Sequence, residues 1–93
     1  MFYYFSINKN QIKMARLIKS NGEILPNVDI SSLKKMQDLV QGYIEFVYLK
    51  DNKVLIVNEE GLLMNLPQNK QASNIYGHRV VGDAVVCDIT ELK

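Results

Sequence analysis

The sequence has no tryptophan, one cysteine, one histidine and two prolines. A lone thiol, Cys87, excludes an internal disulfide, and a single thiol placed in a strand fits a reducing compartment. With one His and one Cys, no complete catalytic or metal-binding constellation assembles, and no cofactor is implied. Charge of one sign is also scarce. Eleven Lys and Arg against ten Asp and Glu leave a formal net charge of +1, so neither a nucleic acid nor another broad polyanion is the expected partner. No apolar run is long enough to span a bilayer. Met1-Phe2-Tyr3-Tyr4-Phe5 lacks a basic flank and is too short for a signal segment. The expectation is a cytoplasmic protein without membrane attachment.

What is present fits one domain. Ninety-three residues, 47% hydrophobic and 23% charged, match an ordinary globular composition. A domain this small buries only about two-thirds of its unfolded surface, so its core is thin and a homodimer would help it. Residues 1 to 13 stand apart as an aromatic cluster followed by polar Asn8-Lys9-Asn10-Gln11. Two readings remain open for them: an extension ahead of an alternative start at Met14, or an edge strand. Residues 14 to 93 read as a single α+β domain.

Ser20-Asn21-Gly22-Glu23 is the clearest turn. Asn-Gly predicts a type I′ hairpin that pairs residues 13 to 19 with 23 to 28, with Pro26 confining the second arm to an edge or shortening it. Asp29, Ser31 and Ser32 are good N-caps, and Leu33, Met36, Leu39 and Val40 share one helical face. Gly42 suits the left-handed residue after that helix. Tyr43 to Leu49 is rich in β-branched and aromatic residues, Lys50-Asp51-Asn52-Lys53 turns the chain, and Val54-Leu55-Ile56-Val57 has the continuous apolarity of a strand covered on both faces. A polar turn, Asn58-Glu59-Glu60-Gly61, follows. Residues 69 to 74 read as a short helix or an irregular loop, and Asp83 to Ile89 as the last strand. The expected fold is α+β: a small antiparallel sheet of about five strands with one main helix packed on it, in the order β-β-α-β-β-loop-β.

The runs Leu39-Val40-Gln41-Gly42-Tyr43-Ile44-Glu45, Val57-Asn58-Glu59-Glu60-Gly61, Leu66-Pro67-Gln68-Asn69 and Val81-Gly82-Asp83-Ala84-Val85-Val86 together resemble the phage- and plasmid-borne domain-of-unknown-function family 3846. The resemblance covers about Met14 to Cys87. It implies a mobile-element accessory protein and supplies no activity. At Gln41 the family pattern leads one to expect a second Gly.

Two regions could bind a ligand. In a hairpin centred between Asp51 and Asn52, Glu45 lies roughly opposite Asn58, close to Glu59 and Glu60. Carboxylates so grouped can hold a divalent cation or act as an acid and base, although a solvated polar turn is the commoner meaning of such a cluster. The second region is the amide-rich loop with Asn65, Gln68, Asn69, Ser73 and Asn74, flanked by Lys70, His78 and Arg79. Amides read base or sugar edges and cations hold phosphate. His78 as the only imidazole is a candidate base or phosphate ligand, against the commoner role of a solvent-facing loop histidine. Cys87 reads as a small core hydrophobe. Three functional readings follow. The first is a non-enzymatic binding protein for a host protein or a small nucleotide-like ligand, with counter-defence as one form. The second is a small nucleotide hydrolase using carboxylates and His78. The third is a structural homo-oligomerisation module.

Overall fold

The computed structural model describes residues 15–92, and both readings of residues 1 to 13 lie outside them. Five strands form one antiparallel sheet in the order β2-β1-β5-β4-β3. They are β1 (Arg16–Ile18), β2 (Ile24–Pro26), β3 (Ile44–Tyr48), β4 (Lys53–Asn58) and β5 (Ala84–Asp88). Helix α1 (Leu33–Val40) follows β2, helix α2 (Lys70–Tyr76) lies between β4 and β5, and a 3-10 turn, Ile89–Leu92, closes the chain.

The sheet, the expected number of strands and the α+β class are as the sequence predicts, but there are two helices rather than one. Each covers one face. Leu17, Val54, Ile56, Val85 and Cys87 form a core with Val40, Met36 and Leu39 of α1. Ile18, Leu55, Ala84 and Val86 form a second core with Ala72 of α2 and Val80. Val54, Leu55 and Ile56 are fully buried, which is why β4 shows an unbroken apolar run instead of alternation. Helix α2 spans seven residues and buries Ala72, so apolar periodicity was too short to separate helix from loop there; its cap carries the signal.

Ser32 caps α1, its side chain accepting the Lys35 N–H. The helix ends in Gln41, at φ 66, where Gly42 was expected to take the left-handed conformation. Gly42 is needed for room instead: a Cβ there would lie 2.7 Å from Asn58 Nδ2.

Both hairpin turns differ from expectation. At the first, the Gly22 N–H bonds Lys19 O and the Lys19 N–H bonds Glu23 O, and Gly22 (φ 98) is at positive φ whereas Asn21 is not. This is a three-residue loop with a glycine bulge, and Asn21 Oδ1 accepts the Glu23 N–H. At the second, Asp51 and Asn52 both have φ 60, and the Leu49 N–H bonds Lys53 O. Three loop residues centre that hairpin on Asp51. Glu45 therefore pairs with Val57, and Ile44 with Asn58.

Candidate functional site

A register offset of one residue reverses the faces. Glu45 and Asn58, expected to approach each other, point to opposite sides of the sheet. Glu45, Glu59 and Glu60 are exposed, and among the described residues no group of three or more His, Cys, Asp or Glu could hold a metal ion.

Asn58 is buried, and its amide is used within the fold. Its Nδ2 donates to Val40 O at 3.1 Å and contacts Gln41 O at 3.4 Å, and its Oδ1 accepts the Glu60 N–H at 2.8 Å. One side chain thus ties the open carbonyl end of α1 to the turn after β4. Asn69 does the same on the other face. It is 1% exposed. Its Oδ1 caps α2 through the Ala72 N–H at 3.0 Å, and its Nδ2 donates to Ile18 O at 2.8 Å and Gly82 O at 2.9 Å. Ser73 also turns inward, with its Oγ donating to Asn69 O and accepting the Val80 N–H.

The remaining expected site residues are on the surface: Asn65, Gln68, Lys70, Asn74, His78 and Arg79 are exposed. Asn65 stands in the turn after β4 at φ 57. His78 stacks obliquely on Tyr76, ring centres 4.8 Å apart. Cys87 is buried, and that burial, reinforced by the charges of Glu91 and Asp88, pushes its thiol up to about 11. A thiol so protonated is a poor nucleophile.

The surface of the described residues includes three open clefts that bear on the expected site. The first, about 590 Å³, is lined by Gln37, Asp38, Gln41, Tyr43, Glu60 and Met64. The second, about 460 Å³, lies between Tyr48-Leu49-Lys50 and Asn74-Ile75-Tyr76-Gly77. The third, about 640 Å³, runs under the start of α1 and includes Leu33, Met36, Phe46, Tyr48 and Leu92.

Sequence reasoning missed the apolar turn beside the first cleft. Leu62, Leu63 and Met64 are 68%, 84% and 47% exposed, yet their backbone is fixed. The Met64 N–H bonds Glu60 O, the Asn65 N–H bonds Leu62 O and the Leu66 N–H bonds Gly61 O. Next to them Tyr43 is 63% exposed. The run Leu62-Leu63-Met64 reads as core by hydropathy. Its position straight after a polar turn with Gly61 was the available hint that the chain there is no longer inside the sheet.

No helix among the described residues is long and apolar enough to cross a membrane. No curated protein and no solved structure matches the chain. A family model does match, over residues 12–92 and therefore through both cores and all three clefts: the chain belongs to the family Domain of unknown function (DUF3846).

Proposed function

We propose that this chain is a non-enzymatic protein-binding module of a phage or plasmid, which docks its partner on Leu62, Leu63, Met64 and Tyr43. The observation that carries this reading is the turn 61–65. It holds Leu62 and Leu63 in water, with half-exposed Met64, whose sulfur meets the Asn58 amide, beside them on a hydrogen-bonded backbone. Contiguous exposed apolar surface of this kind is typical of interaction sites, and a fixed backbone lowers the entropy lost on docking. Glu60 lines the adjoining cleft with Glu59 beside it, while Asp38 in the same wall is paired with Lys34 at 2.7 Å. The matching partner is a protein with an apolar patch rimmed by basic residues. In a mobile element, occupying such a host protein would serve counter-defence; the family resemblance alone motivates that step.

The test is the pair Leu62→Ser and Leu63→Ser in one chain. Both side chains are solvent-exposed, so the thermal midpoint should stay within a few degrees of wild type. Capture of a host protein by the wild type, and its loss in the double variant, supports the reading. Equal capture by both chains refutes it.

A second reading has its own observation. The cleft of Tyr48, Lys50, Asn74 and Tyr76 offers aromatic faces, an amide and a cation, which is the chemistry that takes a nucleotide-like ligand. Thermal-shift screening against nucleotides tests it. A rise of several degrees that Lys50→Ala and Tyr76→Ala abolish supports it, and no rise with any nucleotide removes it.

A further inference from the structure

The two edges of the sheet are not alike. β2 is three residues long, ends in Pro26 and is followed by Asn27 at φ 58. Pro26 has no N–H, so that edge offers little for another strand to pair with. β3 has none of these protections. It is five residues long, Ile44–Tyr48, regular, and free of Pro, Gly and Lys. No strand pairs with its outer side among the described residues.

The register shows which of its backbone groups are unused. Tyr43 O accepts the Glu59 N–H and the Leu49 N–H bonds Lys53 O. In an antiparallel ladder the bonded pairs alternate, so Tyr43, Glu45, Val47 and Leu49 spend their backbone groups on β4. Ile44, Phe46 and Tyr48 therefore turn theirs outward. The side chains of these three residues share one face, and those of Phe46 and Tyr48 line the third cleft and are 38% and 66% exposed.

We infer that β3 pairs antiparallel with β3 of a second copy of this chain, with Phe46 on the twofold axis, to give a continuous ten-stranded sheet. This register uses every outward backbone group. Phe46 meets Phe46 of the second copy, Ile44 meets Tyr48 and Tyr48 meets Ile44, making six backbone hydrogen bonds. On this face the pairs are aromatic–aromatic and aromatic–β-branched, which are favourable across strands. Charge also fits a self-pair. Glu45 is the only charged residue in β3, and the register sets it opposite Val47, not opposite its own copy. Phe46 and Tyr48 together bring about 200 Å² of exposed aromatic surface from each copy. That is less than specific interfaces usually bury, so the pairing rests mainly on the six backbone bonds and the dimer should be weak, with a Kd in the micromolar range or above.

Sedimentation of the full chain from about 1 to 300 µM, which covers the micromolar range, tests this. The expected result is a mass that rises from one chain toward two. Phe46→Lys and Phe46→Glu each place like charges opposite each other on the axis, so each alone should remain a single chain. A one-to-one mixture of the two variants should dimerise again. Ile24→Lys, on the opposite edge, should leave the dimer intact, and thermal melts of every variant confirm folding. A wild type that stays one chain at the highest concentration overturns the inference. So does undiminished dimerisation of both Phe46 variants, failure of the mixture to associate, or loss of the dimer in Ile24→Lys alone. If Phe46→Lys does not fold, Tyr48→Pro, which removes an outward N–H from this edge, should by itself remain a single chain, and its undiminished dimerisation overturns the inference.

Discussion

Asn69 offers the sharpest test of how the fold is held. Its side chain makes three buried hydrogen bonds, one as the cap of α2 and two that hold the ends of β1 and β5 to it. Removing the amide with Asn69→Ala deletes a cap worth about 1 kcal/mol. It also strands the carbonyls of Ile18 and Gly82 at about 1 kcal/mol each or somewhat more. The expected loss is about 3–4 kcal/mol, a large part of the stability of a domain this size. With a urea slope of about 1–1.5 kcal/mol/M, the midpoint should fall by about 2–4 M. Far-UV circular dichroism is the suitable probe, because the chain has no tryptophan. Asn69→Asp separates two explanations. Asp caps a helix as well as Asn, so if capping were all, this variant would be nearly neutral. As a clamp it should be at least as damaging as Ala at pH 7, because a carboxylate oxygen would face two carbonyl oxygens. That environment raises the folded-state pKa of the new carboxyl. Its penalty is then absent below the unfolded value near 3.9 and grows as pH rises through and beyond it. An Asn69→Asp chain within about 1 kcal/mol of wild type at pH 7 would refute the clamp.

Other positions give independent outcomes. Gln41→Gly should stabilise by about 0.5–1 kcal/mol, since Gln41 sits at φ 66 after α1, and chemical denaturation will show it. Gly42→Ala should cost about 1–3 kcal/mol in the same assay, because the new methyl meets Asn58 Nδ2 at 2.7 Å and that amide is held by Val40 O. Cys87 adds a pH dependence. Its folded pKa is raised by burial to about 11 from 9.0. The thiol therefore favours folding fully below pH 9, and that contribution is lost as pH rises through 11, up to about 3 kcal/mol. Cys87→Ala should flatten the alkaline limb of stability against pH, and native Cys87 should resist alkylation at pH 7.

The sheet was legible because its strands carry strong local signals. The unbroken run Val54 to Val57 marked the buried centre, and Pro26 marked the blunted edge. The register of the central hairpin was not legible, since Lys50-Asp51-Asn52-Lys53 admits two or three loop residues and only left-handed Asp51 and Asn52 within a three-residue loop decide it. That single residue moved Glu45 away from Asn58. Helix and loop could not be told apart at α2 because it buries little beyond Ala72, and its main anchor is a long-range bond from Asn69 to Ile18, 51 residues away. The exposed Leu62-Leu63-Met64 turn escaped because hydropathy reports what a side chain is, not which side of a backbone it leaves from.

The motifs that carry the family resemblance have a shared physical meaning. Asn58 clamps the end of α1, Asn69 clamps the start of α2, and Gly42 leaves space for the Asn58 amide. A Cβ at Gly82 would lie 2.7 Å from Leu66 Cδ1, and one at Gly61 would lie 2.8 Å from Val81 Cγ2. Each of these residues acts where one stretch of backbone closes on another, and none needs a ligand to account for its chemistry. A chain can therefore keep all of these motifs and change what it binds. Apart from Tyr43, which lies within a motif, the surfaces proposed for binding use other residues: Leu62, Leu63 and Met64 on one side, Phe46 and Tyr48 at the sheet edge. Altering an Asn or Gly of the motifs should cost stability first, with any loss of binding following from unfolding. Altering the exposed apolar residues should abolish binding in a chain that melts as wild type does. Binding lost in Asn58→Ala at a temperature where that chain is fully folded would break this division and return the end of the central hairpin to the site itself.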